Sequence, residues 1–279
     1  ARGGWLPIMA QRLSSPTSVT SGCLESLDMI PEQILAEWHH WGLASPPDSI
    51  LSIKGGLTNQ NYLIRSEGIE LLLRLNNTAT SLGIYRDEEL AIHQHMAKAG
   101  LTPALRYHSS ELDYWVRDFI PGTPLAAAPS DDDLQAVTKV LSTVHTQHPR
   151  ANLHTLDVQA ACSQYLAQCD GHSEAVIRLK EEISQLTPLP ADDACLCHLD
   201  PLPANWLRDS EGKLWLLDWE YAALAHPSLD YAALQLQLPE NKQALFESFI
   251  PENLREVMAD ARSQVRLMDH SWRLAHATG

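Results

Sequence analysis

Three oxygen-bearing side chains lie close together late in the chain. They fall in the stretch His198-Leu-Asp200-Pro-Leu-Pro-Ala-Asn205 and, thirteen residues further on, Asp218-Trp-Glu220. A carboxylate at Asp200 can accept or orient the proton of an attacking hydroxyl. The amide of Asn205 and the carboxylate of Asp218 can hold a divalent cation against phosphate oxygens. Magnesium favours such oxygen donors and keeps several of its waters, so two protein ligands are sufficient. Together these residues are what transfer of a phosphoryl group to a hydroxyl requires. A hydrolase reading of His198 and Asp200 fails for want of a nucleophile in a strained turn.

The surrounding sequence supplies the means to position them. Residues 195–199 read as a strand end, and the two prolines of LDPLPA force a loop. Residues 206–208 and 213–217 are apolar runs joined by Asp209-Ser-Glu-Gly212, a hairpin signal. Such a hairpin holds Asp200 and Asn205 at one mouth and returns the chain to deliver Asp218 beside them. Earlier, residues 50–54, 61–66, 70–75 and 114–120 are short apolar runs bounded by turn residues, and they predict an antiparallel sheet. Pro31 with Ile34, Trp38 and Trp41 predicts a helix up to Gly42, and a second helix spans 86–99 before Gly100. Ser130 and Asp133 suit a capping box ahead of the stripe Leu134, Val137, Leu141 and Val144. Strands first and helices later predict an α+β chain with two lobes.

The combined pattern His198-x-Asp200-x4-Asn205 with Asp218-Trp219-Glu220 resembles the catalytic motif of the aminoglycoside phosphotransferase and choline kinase superfamily. Within it, LLDWEYA is most similar to bacterial choline/ethanolamine kinases and thiamine kinases. The resemblance runs from about Ile30 to the C-terminus. It implies a bilobal protein-kinase-like fold, with a small antiparallel-sheet N-lobe over residues 29–120 and a larger, mostly helical C-lobe over residues 121–279. It implies ATP and Mg2+ as cofactors and a small-molecule alcohol as acceptor.

The same likeness assigns residues upstream. Gly55, Gly56, Thr58 and Asn59 belong to a loop similar to the family's GGxTN phosphate loop, where glycines admit close backbone approach. Arg74 stands where kinase folds carry a cation on the following strand, and its guanidinium can fork across phosphate oxygens. Glu89 is the implied helix partner of Arg74, by likeness to an RxxE pattern that Arg86 and Glu89 reproduce; Glu88 is its rival. Tyr114–Gly122 resembles the segment that joins the lobes and receives adenine. His145 and Asp230 resemble bracing residues rather than chemical ones. Glu220 and Tyr221 are implied substrate contacts, with Trp219 and Trp272 as further candidates, because aromatic faces attract cationic head groups. Gln237 departs from the glutamate common at that position in bacterial choline and thiamine kinases, which removes a charge. The chain ends in or just after the helix expected to bear Trp272, so part of a substrate wall is expected to be missing.

Composition excludes other classes. Of 279 residues, 35 are acidic and 20 basic, for a net charge of −15, a surface that repels nucleic acid. No apolar run reaches the roughly 18–20 residues a membrane helix needs. Five cysteines in a chain able to bury its own core predict reduced thiols and a cytoplasmic protein. Cys195-Leu-Cys197-His198 admits a zinc reading, but a closed site needs a fourth ligand. Two small apolar side chains on one face of a buried strand is the preferred reading. A scaffolding pseudokinase is disfavoured because Asp200, Asn205 and Asp218 are all present. Residues 1–28 carry no core-forming pattern and are expected to form a disordered or non-native tail, with Met29 as a candidate start. Nothing in the sequence speaks to oligomeric state.

Overall fold

The structure is a computed structural model, and it describes residues 30–53, 59–77 and 83–277. The predicted tail and Gly55, Gly56 and Thr58 lie outside the described residues. The chain divides into two compact units. The first comprises Ala1–Ser81 and Ala97–Pro121, the second Leu82–Met96 and Gly122–Gly279.

The first unit is built on an antiparallel sheet of five strands, β1 (Ser49–Ile53), β2 (Asn59–Ser66), β3 (Ile69–Asn76), β4 (Leu105–His108) and β5 (Tyr114–Asp118). Their order is β1-β2-β3-β5-β4. Alternation decides which face is buried. Tyr62 and Ile64, Leu71 and Leu73, and Tyr114 and Val116 share one face, and Ile30, Trp41 and Leu43 cover it. The opposite face carries Arg74, whose guanidinium lies 4.5 Å from the centre of the Trp115 ring, its directly paired neighbour. The helix expected over 31–42 is shorter: α1 (Glu32–Ala36) gives way to a 3-10 turn at Trp38–His40. Glu37 sits at that break and accepts hydrogen bonds from the hydroxyls of Tyr107 (2.7 Å) and Tyr114, so the segment is tied to the sheet. β4 has no apolar alternation of its own and was not visible as a strand in the sequence; pairing with β5 defines it.

α2 (Arg86–Lys98) ends before Gly100, which takes φ +72°. The second unit holds α3 (Asp131–Val144), α4 (Val158–Leu166), α5 (Glu174–Ser184), α6 (Ser228–Gln237), α7 (Glu240–Phe249) and α8 (Met258–Ala277). The α3 capping box is present: Ser130 Oγ accepts from Asp133 N at 3.1 Å, and Asp133 Oδ2 accepts from Ser130 N at 3.1 Å. α6 is buried from Ser228 to Gln235, with α8 packed against it. Two small sheets complete the unit. One orders β6 (Gly122–Pro124), β8 (Trp206–Asp209) and β9 (Leu214–Leu216); the other pairs β7 (Cys195–Cys197) with β10 (Ala223–Ala225). Gly122 does more than punctuate a turn: a Cβ there would meet the Arg208 carbonyl oxygen at 2.6 Å, so glycine lets β6 press onto β8.

Candidate active site

The predicted hairpin forms as β8 and β9, with Asp209 Oδ1 accepting from the amides of Glu211 (3.0 Å) and Lys213 (2.9 Å) across its turn. It does what its place in the sequence demands. Leu217 N donates to Asn205 O at 2.8 Å, which ties the strand leading to Asp218 onto the end of the catalytic loop. Asn205 Nδ2 in turn donates to both Asp200 O and Asp200 Oδ2, each at 2.8 Å. The amide nitrogen is thereby spent on positioning Asp200, and Asn205 Oδ1 is the atom left to meet a cation.

The loop is braced from below. Asp230, fully buried on α6, accepts from His198 N (3.0 Å), Leu199 N (2.7 Å) and His145 Nε2 (2.9 Å). Burial alone would raise its carboxyl, but the His145 hydrogen bond, the two nearby imidazoles and the loop amide together hold it below the usual carboxylate range. His198 is buried and bonded at both nitrogens: Nε2 donates to Leu217 O (2.9 Å), and Nδ1 accepts from Asp200 N (3.3 Å). Burial lowers its pKa to about 4, so the ring stays neutral and links loop to hairpin. Trp206 closes the loop, its indole donating to Pro201 O at 3.0 Å. Leu199 (φ +65°) and Asp218 (φ +67°) both adopt the left-handed region, which non-glycine residues enter at a cost. Each neighbours or is one of the residues singled out for chemistry; Glu67 and Leu112, in turns of the first unit, share that conformation.

The electrostatics are strongly negative. Protein crowds round the Asp200 carboxyl, and this burial, followed by the charge of Asp218, raises its pKa well above the ordinary range; Glu220 and Asp269 push the same way. Carboxylate oxygens of Glu89, Asp218 and Glu220 lie within 4.8 Å of one another. Glu89 and Glu220 are almost wholly buried, and Arg86 reaches both, with Nη1 2.6 Å from Glu89 and 3.5 Å from Glu220. An all-oxygen donor set carrying this much negative charge fits a hard divalent cation such as Mg2+.

The other expected residues fall as follows. Asn59 opens β2 and accepts from Asn77 N at 3.4 Å. Arg74 and Glu89 belong to different units, and within its own unit Glu89 is gripped by Arg86. Glu88 is taken up by His154, whose amide and Nδ1 each lie 2.8 Å from its carboxylate. Tyr221 OH accepts from Trp272 Nε1 at 3.3 Å; burial and then Glu220 raise its pKa. Tyr165 and Asp269 add to this neighbourhood. The Tyr165 pKa is pushed up to about 12 by burial, Cys162 and Glu220. No spacing rule marked Tyr165. Asp269 did carry a faint signal, since it sits one helical turn before Trp272 on α8.

Comparison with known proteins bears on the fold and the family. Protein LicA of Haemophilus influenzae is 22% identical over 229 residues, covering 77% of this chain and 64% of that protein. This chain therefore spans a little under two thirds of that relative's length. The crystal structure of choline kinase LicA from Streptococcus pneumoniae superposes with a TM-score of 0.75 at 20% identity, covering 88% of this chain and 91% of that one. A LicA structure in complex with AMP gives 0.70 at 20% identity, covering 88% and 90%. These likenesses show the fold to be α+β and protein-kinase-like, with a small antiparallel-sheet lobe and a mostly helical lobe. A sequence model of the phosphotransferase enzyme family matches residues 49–266, most of the chain, and the chain belongs to that family.

Proposed function

We propose that the chain is an ATP- and Mg2+-dependent phosphotransferase that moves the γ-phosphoryl group to the hydroxyl of a small cationic alcohol, choline or ethanolamine ahead of thiamine. The observation that carries this reading is the Asp200–Asn205–Asp218 constellation, with Asp200 fixed by the Asn205 amide and the loop fixed by Asp230. Asp200 receives or orients the hydroxyl proton, while Asn205 and Asp218 would hold the cation, which when bound would supply positive charge to the phosphate oxygens. Thr58, Asn59, Gly55, Gly56 and Arg74 serve the nucleotide in this scheme, with Glu89 on the acidic side. A divalent ion at Asp218 would offset that residue's charge, the second cause of the raised Asp200 pKa after burial, and so favour the carboxylate form of Asp200.

Three features favour a cationic acceptor. Asp200, Glu220 and Asp269 give the neighbourhood negative charge. Tyr221, Trp272 and Tyr165 offer aromatic surface beside it. One solved structure with this fold is named a choline kinase. A cytoplasmic setting, with ATP abundant and thiols reduced, suits this reaction.

The test is ADP release across choline, ethanolamine, thiamine, homoserine and kanamycin. Turnover of one of the first three supports the whole reading. Turnover of homoserine or kanamycin alone would overturn the substrate class and leave phosphoryl transfer standing. Tyr221→Ala is expected to raise KM for the cationic alcohol more than KM for ATP.

A further inference from the structure

The CxCH sequence at 195–198 lacked a fourth zinc ligand, and the structure removes its histidine as well, since both His198 nitrogens are engaged with Leu217 and Asp200. Other residues replace them. His145, at the C-terminal end of α3, Cys197 on β7 and Asp230 on α6 bring Nε2, Sγ and a carboxylate oxygen within 4.8 Å of one another. Cys195, two residues from Cys197 on the same strand face, places its sulfur 4.0 Å from that of Cys197. We propose that His145, Cys197, Asp230 and Cys195 form a site for a soft divalent cation of the zinc class, and that its occupation loosens the Asp200 loop.

The donor set is one nitrogen, two sulfurs and one carboxylate oxygen, the mixture zinc takes in tetrahedral sites. Bonds of about 2.0–2.3 Å at tetrahedral angles bring ligand atoms roughly 3–4 Å apart, so the three atoms within 4.8 Å need only a modest contraction, and Cys195 Sγ, which lies outside that group at 4.0 Å from Cys197 Sγ, must swing in to complete the set. The cation enters between His145 Nε2 and Asp230, where a proton now bridges 2.9 Å. That proton passes from Nε2 to Nδ1, so the ring stays neutral and presents the Nε2 lone pair. Both thiols lose their protons to solvent, and Cys197 gives up its bond to Ala225 O (3.3 Å). Two new negative charges then match the two positive charges added, so the buried net charge is unchanged. Cys195 is only partly buried and provides the way in. The cost falls on Asp230: a carboxylate oxygen that ligates the cation can no longer give its full strength to His198 N, and the loop carrying Asp200 relaxes.

The test uses Co2+ in place of Zn2+, read by a thiolate-to-cobalt charge-transfer band, together with equilibrium dialysis of Zn2+. Neither readout depends on enzymatic turnover, and the oxygen ligands Asn205 and Asp218 give no such band. The intact protein is expected to show the band. Cys195→Ser should weaken Zn2+ binding by roughly tenfold or more, Cys195→Ser/Cys197→Ser should abolish the band, and Cys169→Ser should leave it unchanged. Phosphotransfer by the intact protein should fall on adding Zn2+ and recover with a zinc-selective chelator at constant free Mg2+, and the double variant should resist. No band in the intact protein, or a band that survives in the double variant, overturns the site. Equal Zn2+ inhibition of the intact protein and the double variant overturns the link to the Asp200 loop. Should the double variant not fold by circular dichroism, Cys195→Ser alone decides, and unchanged Zn2+ affinity overturns the proposal.

Discussion

At the scale of single residues, Asp200 and Asp218 are both carboxylates near one another, yet the roles proposed for them can be separated by experiment. Asp200 is held by the Asn205 amide, so Asp200→Asn preserves shape and removes only the proton acceptor. It is expected to lower kcat by about 10²–10⁴-fold, the range of a positioned general base, with nucleotide affinity little changed. Asp218→Ala is expected instead to abolish Mg2+-supported nucleotide binding, measured by calorimetry with and without the ion. Equal loss of nucleotide affinity in both variants would show the roles misassigned. These residues were legible in the sequence because five positions separate Asp200 from Asn205 and one hairpin returns Asp218. The grip of Arg86 on Glu89 and Glu220 was not legible as a network. Glu220 lies 134 positions from Arg86, and only folding brings the two together.

At the scale of elements, the catalytic loop is a strained segment held by neutral and charged hydrogen bonds, so its stability should respond to pH. The folded pKa of His198 is about 4 against 6.5 for a free imidazole. Between these values the unfolded chain binds the proton that the folded chain refuses, so stability falls as pH drops from about 6.5 to 4. The shift corresponds to roughly 3 kcal/mol. His198→Gln keeps a donor for Leu217 O and removes the titration, so denaturant midpoints should depend less on pH over this window than in the unmodified protein. A second element-scale test concerns Trp206. Trp206→Phe leaves the buried Pro201 carbonyl without its indole donor and is expected to cost about 1–3 kcal/mol. It should lower kcat as well, because that carbonyl belongs to the loop carrying Asp200. The hairpin, the capping box and the alternating strands of the first unit could be read in advance because each rests on local chemistry or a two-residue period. β4, β6 and β10 span three or four residues each and exist through their partners, β5, β8 and β7, so no local pattern announced them.

At the scale of the molecule, the high negative charge has a direct corollary for ligand binding. A protein with a net charge of −15 and three carboxylates converging in its second unit should be stabilised by Mg2+-nucleotide and not by nucleotide alone. At a hundredfold excess over Kd the gain is about 2.7 kcal/mol. For a chain of this size that raises Tm by roughly 5–10 °C, to be measured by differential scanning calorimetry and reversed by a chelator. A Tm indifferent to the ion would remove the case for Asp218 as its ligand.

The division of the chain also governs how it can be made and cut. Leu82–Met96 counts with the second unit although the chain on either side of it counts with the first. On the ribosome, the residues that will grip Glu220 and His154 emerge early and must wait for their partners, which appear more than sixty positions later. Folding of the second unit cannot finish until the residues around Glu220 have been made, and until then Arg86 lacks Glu220 and Glu88 lacks His154. Severing the gene after Pro121 would not yield two independent halves. The C-terminal fragment would lack the strand of helix that neutralises Glu220, and only a fragment pair in which 82–96 accompanies 122–279 has the complete parts list for that unit.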